Sequence, residues 1–428
     1  MNYTKQTYLV AFALFSLFFG AGNLILPPFL GYNAGSSWAW VAIGFALSGV
    51  VIPILAIYGY ARLQGTLLDF AKKVSPRFAL VYAIIVYVIC VSLPSPRTAS
   101  VAYQIAIAPY FDISSLSVSI VYFTLVLLFA LNRTHILSLI GKFLTPLIIL
   151  ILLLIITLGF FADPAPMGST IFENTFTNGI LEGYQTFDAL GGVVVGGVIV
   201  ISLTLQGKYN YQEKKRMIAR SGSIAGIGLF LIYSGLIALG AYYSSDLQIT
   251  ERTELLKILS KNTLGSYGTA FLGVLVALAC FTTAVGIVTG TADFVKGIAK
   301  NTPWAYTVTS AIGCLIGVLV GQFDVGFIIN VALPALMFIY PMTIVLIILN
   351  SIPTRLASAL IFKAVTITTF VFSIPDFLQF FMTPGSLDGI KKWIPFADQG
   401  MGWILPGLLV FIGVTIFEHY KKTASIES

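Results

Sequence analysis

Twelve long apolar segments, separated by short polar connections, make up most of the chain. Each approaches or exceeds the roughly 20 residues that a helix needs to cross the hydrocarbon core of a bilayer. The longest outside connections are expected at 244–266 and 382–401. The pattern predicts an all-α integral membrane protein, a single transmembrane domain over 1–428 with spans at 8–31, 38–61, 78–108, 114–131, 136–161, 174–206, 217–243, 267–299, 303–321, 324–349, 356–381 and 402–420.

Composition and charge agree with this membrane location. Hydrophobic residues make up 57% of the 428 residues and charged residues 10%, whereas soluble domains carry about 25% charged residues. The net charge of +7 lies in short Lys/Arg clusters between the spans, so it indicates topology and no nucleic-acid partner. Most clusters fall on the inside if both termini are cytoplasmic, in agreement with the positive-inside rule. We therefore expect a multi-pass protein surrounded by membrane lipid.

Two of the predicted spans are interrupted near their middle. The first contains Gly-Ala-Gly-Asn at 20–23 and two prolines at 27 and 28, and the sixth contains a polar stretch with two terminal glycines at 182–192. In a helix interior Gly costs about 1 kcal/mol and Pro about 3 kcal/mol relative to Ala. Interrupted helices at equivalent positions of two blocks are typical of an inverted-repeat transporter that binds its cargo at the midplane. The alternative is that the glycines only permit close helix packing.

This interpretation divides the chain into three parts. The first five-helix repeat covers 8–161, and an inverted second repeat covers 174–349. Two additional helices follow over 356–420. An odd number of spans in each repeat turns the second repeat upside down in the membrane.

Chemistry-bearing residues collect at the interruptions. A helix that stops at Gly20 and restarts leaves free amides at a positive dipole end, which suits a carboxylate, and Asn23 adds a neutral amide. Asp188 is an acid at bilayer depth in the sixth span. It is expected to hold sodium, carry a proton or pair with an ammonium group, unless it only caps the restarting helix. Glu182 lies further out and lines the entrance.

Two other spans carry polar groups at membrane depth. Thr282 and Thr283, with the carbonyl of Ala279 one turn earlier, offer oxygens to a hard cation, although such threonines also bond their own helix. Arg97 interrupts the third span, where a gate and a structural ion pair are both open interpretations. The sequence contains no P-loop, metal-ligand cluster or catalytic triad spacing. An ATP-driven pump is therefore excluded, neither an enzyme nor a cofactor is expected, and an ion gradient is the remaining energy source.

Three separated motifs resemble a known family. They are Phe-Phe-Gly-Ala-Gly-Asn-Leu-Ile-Leu-Pro-Pro at 18–28, Pro-Arg-Thr-Ala at 96–99 and Glu-Gly-Tyr-Gln-Thr-Phe-Asp-Ala-Leu at 182–190. They are similar to the BrnQ-type branched-chain amino acid:cation symporters of bacteria, over essentially the whole chain. The resemblance implies the LeuT-type five-plus-five inverted-repeat fold in a bacterial cytoplasmic membrane, and import of leucine, isoleucine and valine with sodium. A proton-coupled permease of the same fold and a non-transporting amino-acid sensor are the alternatives.

The resemblance also implies roles for individual residues. Amides around residues 21–23 take the substrate carboxylate, carbonyls near Phe187 take its ammonium group, and apolar side chains shape an aliphatic pocket. The implied substrate site comprises Phe18, Gly20, Ala21, Gly22, Asn23, Phe187, Asp188 and Leu190. The implied sodium site comprises Ser16, Phe19, Ala279, Thr282 and Thr283. A second sodium site or a gate would use Asn23, Asp188, Arg97 or Glu182.

Overall fold

The computed structural model describes residues 3–132, 145–161, 166–205, 207–244, 249, 251–383 and 385–427, and these form helices and connections without a β-strand. The all-α fold class is confirmed for this part of the chain. Its helices are α1 (Tyr3–Phe18), α2 (Ala21–Ala34), α3 (Trp38–Ala46), α4 (Ile52–Leu63), α5 (Leu67–Ala71), α6 (Pro76–Ser92), α7 (Pro94–Ala102), α8 (Ser115–Leu131), α9 (Thr145–Phe161), α10 (Thr175–Tyr184), α11 (Asp188–Leu205), α12 (Tyr211–Tyr242), α13 (Arg252–Ile298), α14 (Pro303–Gly321), α15 (Val325–Ser351), α16 (Ala359–Leu378), α17 (Asp388–Lys391) and α18 (Ile404–Glu427).

Many of these helices are long and apolar enough to cross a membrane. Within the described ranges, eight helical runs meet that requirement, and nine do so if the bent pair α10 and α11 forms one span. The run from Ala21 to Leu63 counts once, although Gly35 within it leaves the helical conformation with a φ of 51°. The start of the predicted span 136–161 lies outside the described residues. The chain is a multi-pass membrane protein, and its division into twelve spans with an inverted repeat stays a prediction.

The predicted outside loop at 244–266 is largely helical, because α13 covers most of it before a non-helical residue at Gly265 (φ 67°, ψ −170°). Leu255, Leu256 and Leu259 are each fully buried in the core. Apolar residues at this spacing form one face of an amphipathic helix. The loop prediction was wrong because average hydropathy along a segment identifies helices that are apolar all round. It misses a helix that has one apolar face and one charged face.

Close backbone packing fixes the second half of the first predicted span. Helix α2 packs on α12 and α13. A Cβ atom on Gly31 would lie 1.8 Å from the carbonyl oxygen of Ile237, and one on Gly240 would lie 1.9 Å from that of Pro28. Small residues allow membrane helices to approach this closely. The position of α2 against α12 therefore depends on both glycines.

The last long helices lie at one edge of this assembly. Helix α16 packs on α15, and α18 packs on α16. Many side chains of α18 are exposed, including Leu408, Leu409 and Phe417. An apolar exposed face suits contact with lipid tails.

Candidate functional site between two helix breaks

The first break lies between α1 and α2, at Phe19 and Gly20. Gly20 has an extended backbone (φ −106°, ψ −163°), and α2 begins at Ala21. The N–H groups in the first turn of a helix have no acceptor in their own helix, and the positive end of the helix dipole lies there. The first break therefore presents hydrogen-bond donors suited to an anionic group.

The prolines of this span are not the cause of the break. Pro27 and Pro28 lie inside α2, beyond its first turn. Proline has no N–H to donate to the carbonyl four residues earlier. The carbonyls of Asn23 and Leu24 consequently lack a helical donor, so α2 offers acceptor oxygens close to its amides.

The second break, at 185–187, separates α10 from α11, whose axes differ in direction by 41°. Phe187 has a positive φ of 65°, a conformation that is uncommon for residues other than glycine. Carbonyls at the end of a helix have no donor in that helix, and the negative end of its dipole lies there. The second break therefore presents acceptors suited to a cationic group, and Asp188 opens α11 beside it.

Hydrogen bonds join the two breaks. The side-chain amide of Asn23 donates to Asp188 Oδ2 at 2.5 Å and also contacts the hydroxyl of Tyr233. Tyr233 in turn donates to Asp188 Oδ2 at 3.5 Å. The backbone N–H of Asp188 donates to Thr186 Oγ1 at 3.2 Å. All of these side chains are buried, so the breaks and α12 form one polar centre inside the membrane domain.

Arg97, on α7, is bonded to the second break. Its Nη1 donates to the carbonyl of Gln185 at 2.6 Å and its Nη2 to that of Thr186 at 3.4 Å. The guanidinium carbon lies 5.0 Å from the centre of the Phe187 ring. Only 2% of Arg97 is exposed. Both acceptors are backbone carbonyls, so Arg97 is held by the end of α10 and by an aromatic face.

A central cavity of about 30 Å³ lies between the breaks. The predicted substrate residues that line it are Phe18, Gly20, Ala21, Asn23, Phe187 and Asp188, together with Arg97 and Thr283. Gly22 adjoins the guanidinium, since a Cβ on it would lie 2.5 Å from Nη2 of Arg97. Leu190 is fully buried elsewhere, because residues two apart on a helix do not share a face and Asp188 faces the cavity. Gly191, one residue further on, lines it instead.

Uncharged oxygens cluster where α1 meets α13. Thr282 Oγ1 lies 3.2 Å from Ser16 Oγ and donates to the carbonyl of Ala279 at 2.8 Å. Thr283 Oγ1 lies 3.3 Å from the same carbonyl and 3.5 Å from that of Leu17. Oxygen ligands of this kind suit a hard cation, and a cage without a carboxylate suits a singly charged one. We call these five residues the oxygen cluster.

Among the described residues, no hydrogen bond joins Phe19 to the oxygen cluster. Its ring stacks on Phe15 and Tyr233, with centroids 5.3 and 5.9 Å away. The carbonyl of Leu17 lies near Thr283 where Phe19 was expected. The sequence offered no signal for this difference, because either carbonyl is compatible with a helix end near residue 18.

Glu182 forms an ion pair nearer the surface. Arg252 Nη1 lies 2.7 Å from its Oε2, and Nη2 donates to its Oε1 at 3.1 Å. The side chains of Arg252 and Glu182 are 23% and 19% exposed, respectively. The guanidinium of Arg252 also lies 5.4 Å from the ring centre of Phe29 on α2. This bidentate pair links α10, α13 and α2 at a partly exposed position. Sequence reasoning missed Arg252 because it assigned that residue to a loop.

The helical membrane fold, the paired breaks and the enclosed polar centre together define a membrane transport protein. A family profile described as "Branched-chain amino acid transport protein" matches residues 3–421, and the chain belongs to this family. The proteins of this family are carriers and permeases, and this chain is likewise a transporter and not an enzyme.

Two curated relatives illustrate the family. The chain is 32% identical over 419 residues to the branched-chain amino acid permease BraB of Bacillus subtilis, covering 95% of this chain and 94% of the relative. It is 30% identical over 437 residues to the branched-chain amino acid permease BrnQ of Escherichia coli, covering 97% and 96%.

Solved structures show the same fold at low sequence identity. A point mutant of the manganese transporter of Eremococcus coleocola matches with a TM-score of 0.62 at 15% identity, covering 98% of this chain and 96% of the other. Mhp1 in an inward-facing conformation matches with a TM-score of 0.61 at 12% identity, covering 97% and 91%. These similarities extend over nearly the whole membrane domain and concern the fold alone.

Proposed function

We propose that this protein imports leucine, isoleucine and valine with sodium across a bacterial cytoplasmic membrane, by alternating access. The observation that carries the proposal is the hydrogen bond of 2.5 Å between Asn23 and Asp188, which brings the two breaks to one site. Bacterial relatives named as branched-chain amino acid permeases support the substrate class. The proposal includes twelve spans, the five-plus-five inverted repeat over 8–161 and 174–349, and cytoplasmic termini.

The two breaks together match the charges of an amino acid. First-turn amides of α2 would bind the carboxylate, and the carbonyls of Gln185 and Thr186 would bind the ammonium group beside Asp188. Phe18 and Phe187, which line the cavity, would contact the aliphatic side chain. One methylene changes binding by only about 1–3 kcal/mol in an apolar pocket. The site should therefore accept all three branched-chain amino acids.

The central cavity must enlarge before a substrate fits. Its volume of about 30 Å³ is roughly a tenth of the volume at which ligand pockets begin, about 300 Å³. The breaks are suited to such a change, because they leave short α-helical halves that can tilt separately. The described conformation is therefore a closed one, and binding requires an open one.

Sodium would bind as cargo in the oxygen cluster. An ion bound there would hold α1 against α13, next to the first break. Thr283 contributes to both places, since it belongs to the oxygen cluster and lines the central cavity. Ion binding would thereby order the first break, which gives a physical reason for coupling the ion to the substrate.

A proton is the alternative coupling ion, and the burial of Asp188 favours it. This side chain is 4% exposed and accepts hydrogen bonds from Asn23 and Tyr233. A buried carboxylate that gains or loses a proton changes the charge of the whole polar centre. Asn23 and Asp188 could also hold a second sodium ion, since both offer oxygen atoms.

Uptake of labelled isoleucine into proteoliposomes at one fixed pH separates these functions. Sodium coupling predicts accumulation driven by an inward sodium gradient and lost when potassium or choline replaces sodium. Equal accumulation in all three salts, abolished by a protonophore, would establish the proton instead. A sensor would bind isoleucine and show no exchange of internal for external isoleucine, which would contradict transport itself.

A further inference from the structure

Arg97 makes the contacts that a bound ammonium group would make. Its guanidinium donates to the carbonyls of Gln185 and Thr186 and lies against the Phe187 ring. Free carbonyls at the negative end of α10 and an aromatic face both attract cations. The guanidinium of Arg97, a cation carried by α7, thus already occupies the carbonyls of the second break.

These contacts hold the guanidinium incompletely. Its Nε is buried and has no hydrogen-bond partner among the described residues. The bond from Nη2 to Thr186 is long, at 3.4 Å, and no carboxylate of the described residues lies within ion-pair distance. Leaving a buried donor unpaired costs about 1–3 kcal/mol. The bonds to Gln185 and Thr186 therefore hold the guanidinium at the second break. The unpaired Nε and the long second bond reduce the free energy needed to release it.

The guanidinium also stands in the way of a substrate. It lines the central cavity and reaches α2, where a Cβ on Gly22 would lie 2.5 Å from Nη2. A zwitterion that contacts the amides of α2 and the carbonyls of Gln185 and Thr186 must cross the same space. A substrate ammonium group and the guanidinium would therefore compete for this space, and their like charges would repel each other.

We propose that Arg97 is an internal surrogate for the substrate ammonium group. It occupies the carbonyls of Gln185 and Thr186 when the carrier is empty, and it withdraws when an amino acid binds. The inference rests on the proposed function, because it requires a substrate with an ammonium group. Without a donor these carbonyls would be buried and unpaired whenever the empty carrier closed, at a cost in free energy. Arg97 stabilises the empty closed state and competes with the substrate.

The test compares wild type with Arg97→Gln in proteoliposomes containing the full chain. Removing the internal competitor should lower the Kd for isoleucine roughly tenfold, since a larger fraction of the protein is ready to bind. Exchange of internal for external isoleucine should stay within about threefold of wild type while net uptake falls at least tenfold, because only net uptake needs the empty carrier to close. A purely structural role would not improve binding.

Arg62→Gln is the matched control. Arg62 Nη1 donates to the carbonyls of Ser351 and Ile352 at 2.8 and 2.5 Å, away from the central cavity. Its loss removes comparable bonds and should leave the Kd and the ratio of net uptake to exchange unchanged. Arg97→Lys retains a cation on a shorter reach, so its Kd should lie between those of wild type and Arg97→Gln.

An unchanged or higher Kd in Arg97→Gln would overturn the surrogate role, as would equal losses of exchange and net uptake. If Arg97→Gln does not fold, Arg97→Lys decides, and binding weaker than wild type contradicts the inference. Failure of the wild-type protein to bind or exchange isoleucine is a separate result. It would refute the proposed function, and the surrogate role with it.

Discussion

Both helix breaks leave backbone groups without a partner in their own helix. The two breaks differ in what those groups contact. At the first break, Gly20 is extended and the amides that open α2 face the central cavity. At the second break, the carbonyls of Gln185 and Thr186 are already bonded to Arg97. The acceptors thus have a partner supplied by the protein, whereas no hydrogen bond joins the first-turn amides of α2 to another element of the described residues.

This difference follows from the helix dipole and from charge. Amides at a helix start attract an anion and carbonyls at a helix end attract a cation, so each break selects one end of a zwitterion. Asp188, at the start of α11, is joined to the first break by its hydrogen bond with Asn23. The three predictions that follow test one part of this arrangement each, beginning with the largest expected effect.

Asp188→Asn should lower isoleucine uptake by more than about a hundredfold, because breaking a buried charged network costs on the order of 3–5 kcal/mol. Two controls bracket this result. Asp376→Asn replaces an acid that is also buried but whose carboxylate oxygens accept no hydrogen bond from a described residue, and it should retain uptake. Glu182→Gln should reduce uptake less than Asp188→Asn. The reverse order in initial uptake rates would place the functional acid at the entrance.

Gly22→Ala should weaken isoleucine binding by roughly tenfold, since overpacking costs about 1–3 kcal/mol. The added methyl group would stand between the two breaks, 2.5 Å from the position of Arg97 Nη2, and it would remain in the path of the substrate after the guanidinium withdraws. Gly20→Ala is the comparison, because its methyl group would meet Thr283 Oγ1 at 2.9 Å and should mainly raise the sodium concentration for half-maximal activity. If both variants change isoleucine affinity alone, the separation of substrate and ion sites is wrong.

Thr283→Ala should raise the sodium concentration for half-maximal uptake about fivefold, corresponding to one lost oxygen contact worth roughly 1 kcal/mol. The melting temperature should hardly change. Thr291→Ala is matched to it, because Thr291 is a buried threonine on the same helix that bonds the carbonyl of Ile287 at 2.8 Å. Sodium activation that is identical in wild type and both variants would eliminate the oxygen cluster as the ion site.

Features with a local cause could be predicted from the sequence. Glycines and polar residues inside apolar segments indicated interruptions near 20–23 and 182–192, and the structure has helix ends at Phe18 and Tyr184. The acid Asp188 was conspicuous because charges are rare at membrane depth. A single residue type in an unusual environment is visible without knowledge of the fold.

Features that depend on packing between distant segments could not be predicted. Arg97 contacts a carbonyl 88 positions away, and Asn23 contacts Tyr233 across 210 positions. Tyr233 carries a hydroxyl group in the middle of the seventh predicted span. The sequence around it does not indicate which residue that hydroxyl contacts. Arg252 was missed because 244–266 was predicted to be a loop. Its charged residues instead belong to one face of a helix.

The central claim is that two breaks hold the two ends of one amino acid, and displacement of labelled isoleucine from the purified full chain tests it directly. Leucine should compete at a concentration similar to that of isoleucine. Its analogues 4-methylpentanoate, without the ammonium group, and 3-methylbutylamine, without the carboxylate, should each need more than about a hundredfold higher concentration, because the acid cannot displace Arg97 from the carbonyls of the second break and the amine leaves the amides of α2 unpaired. Either analogue competing as well as leucine would contradict the account.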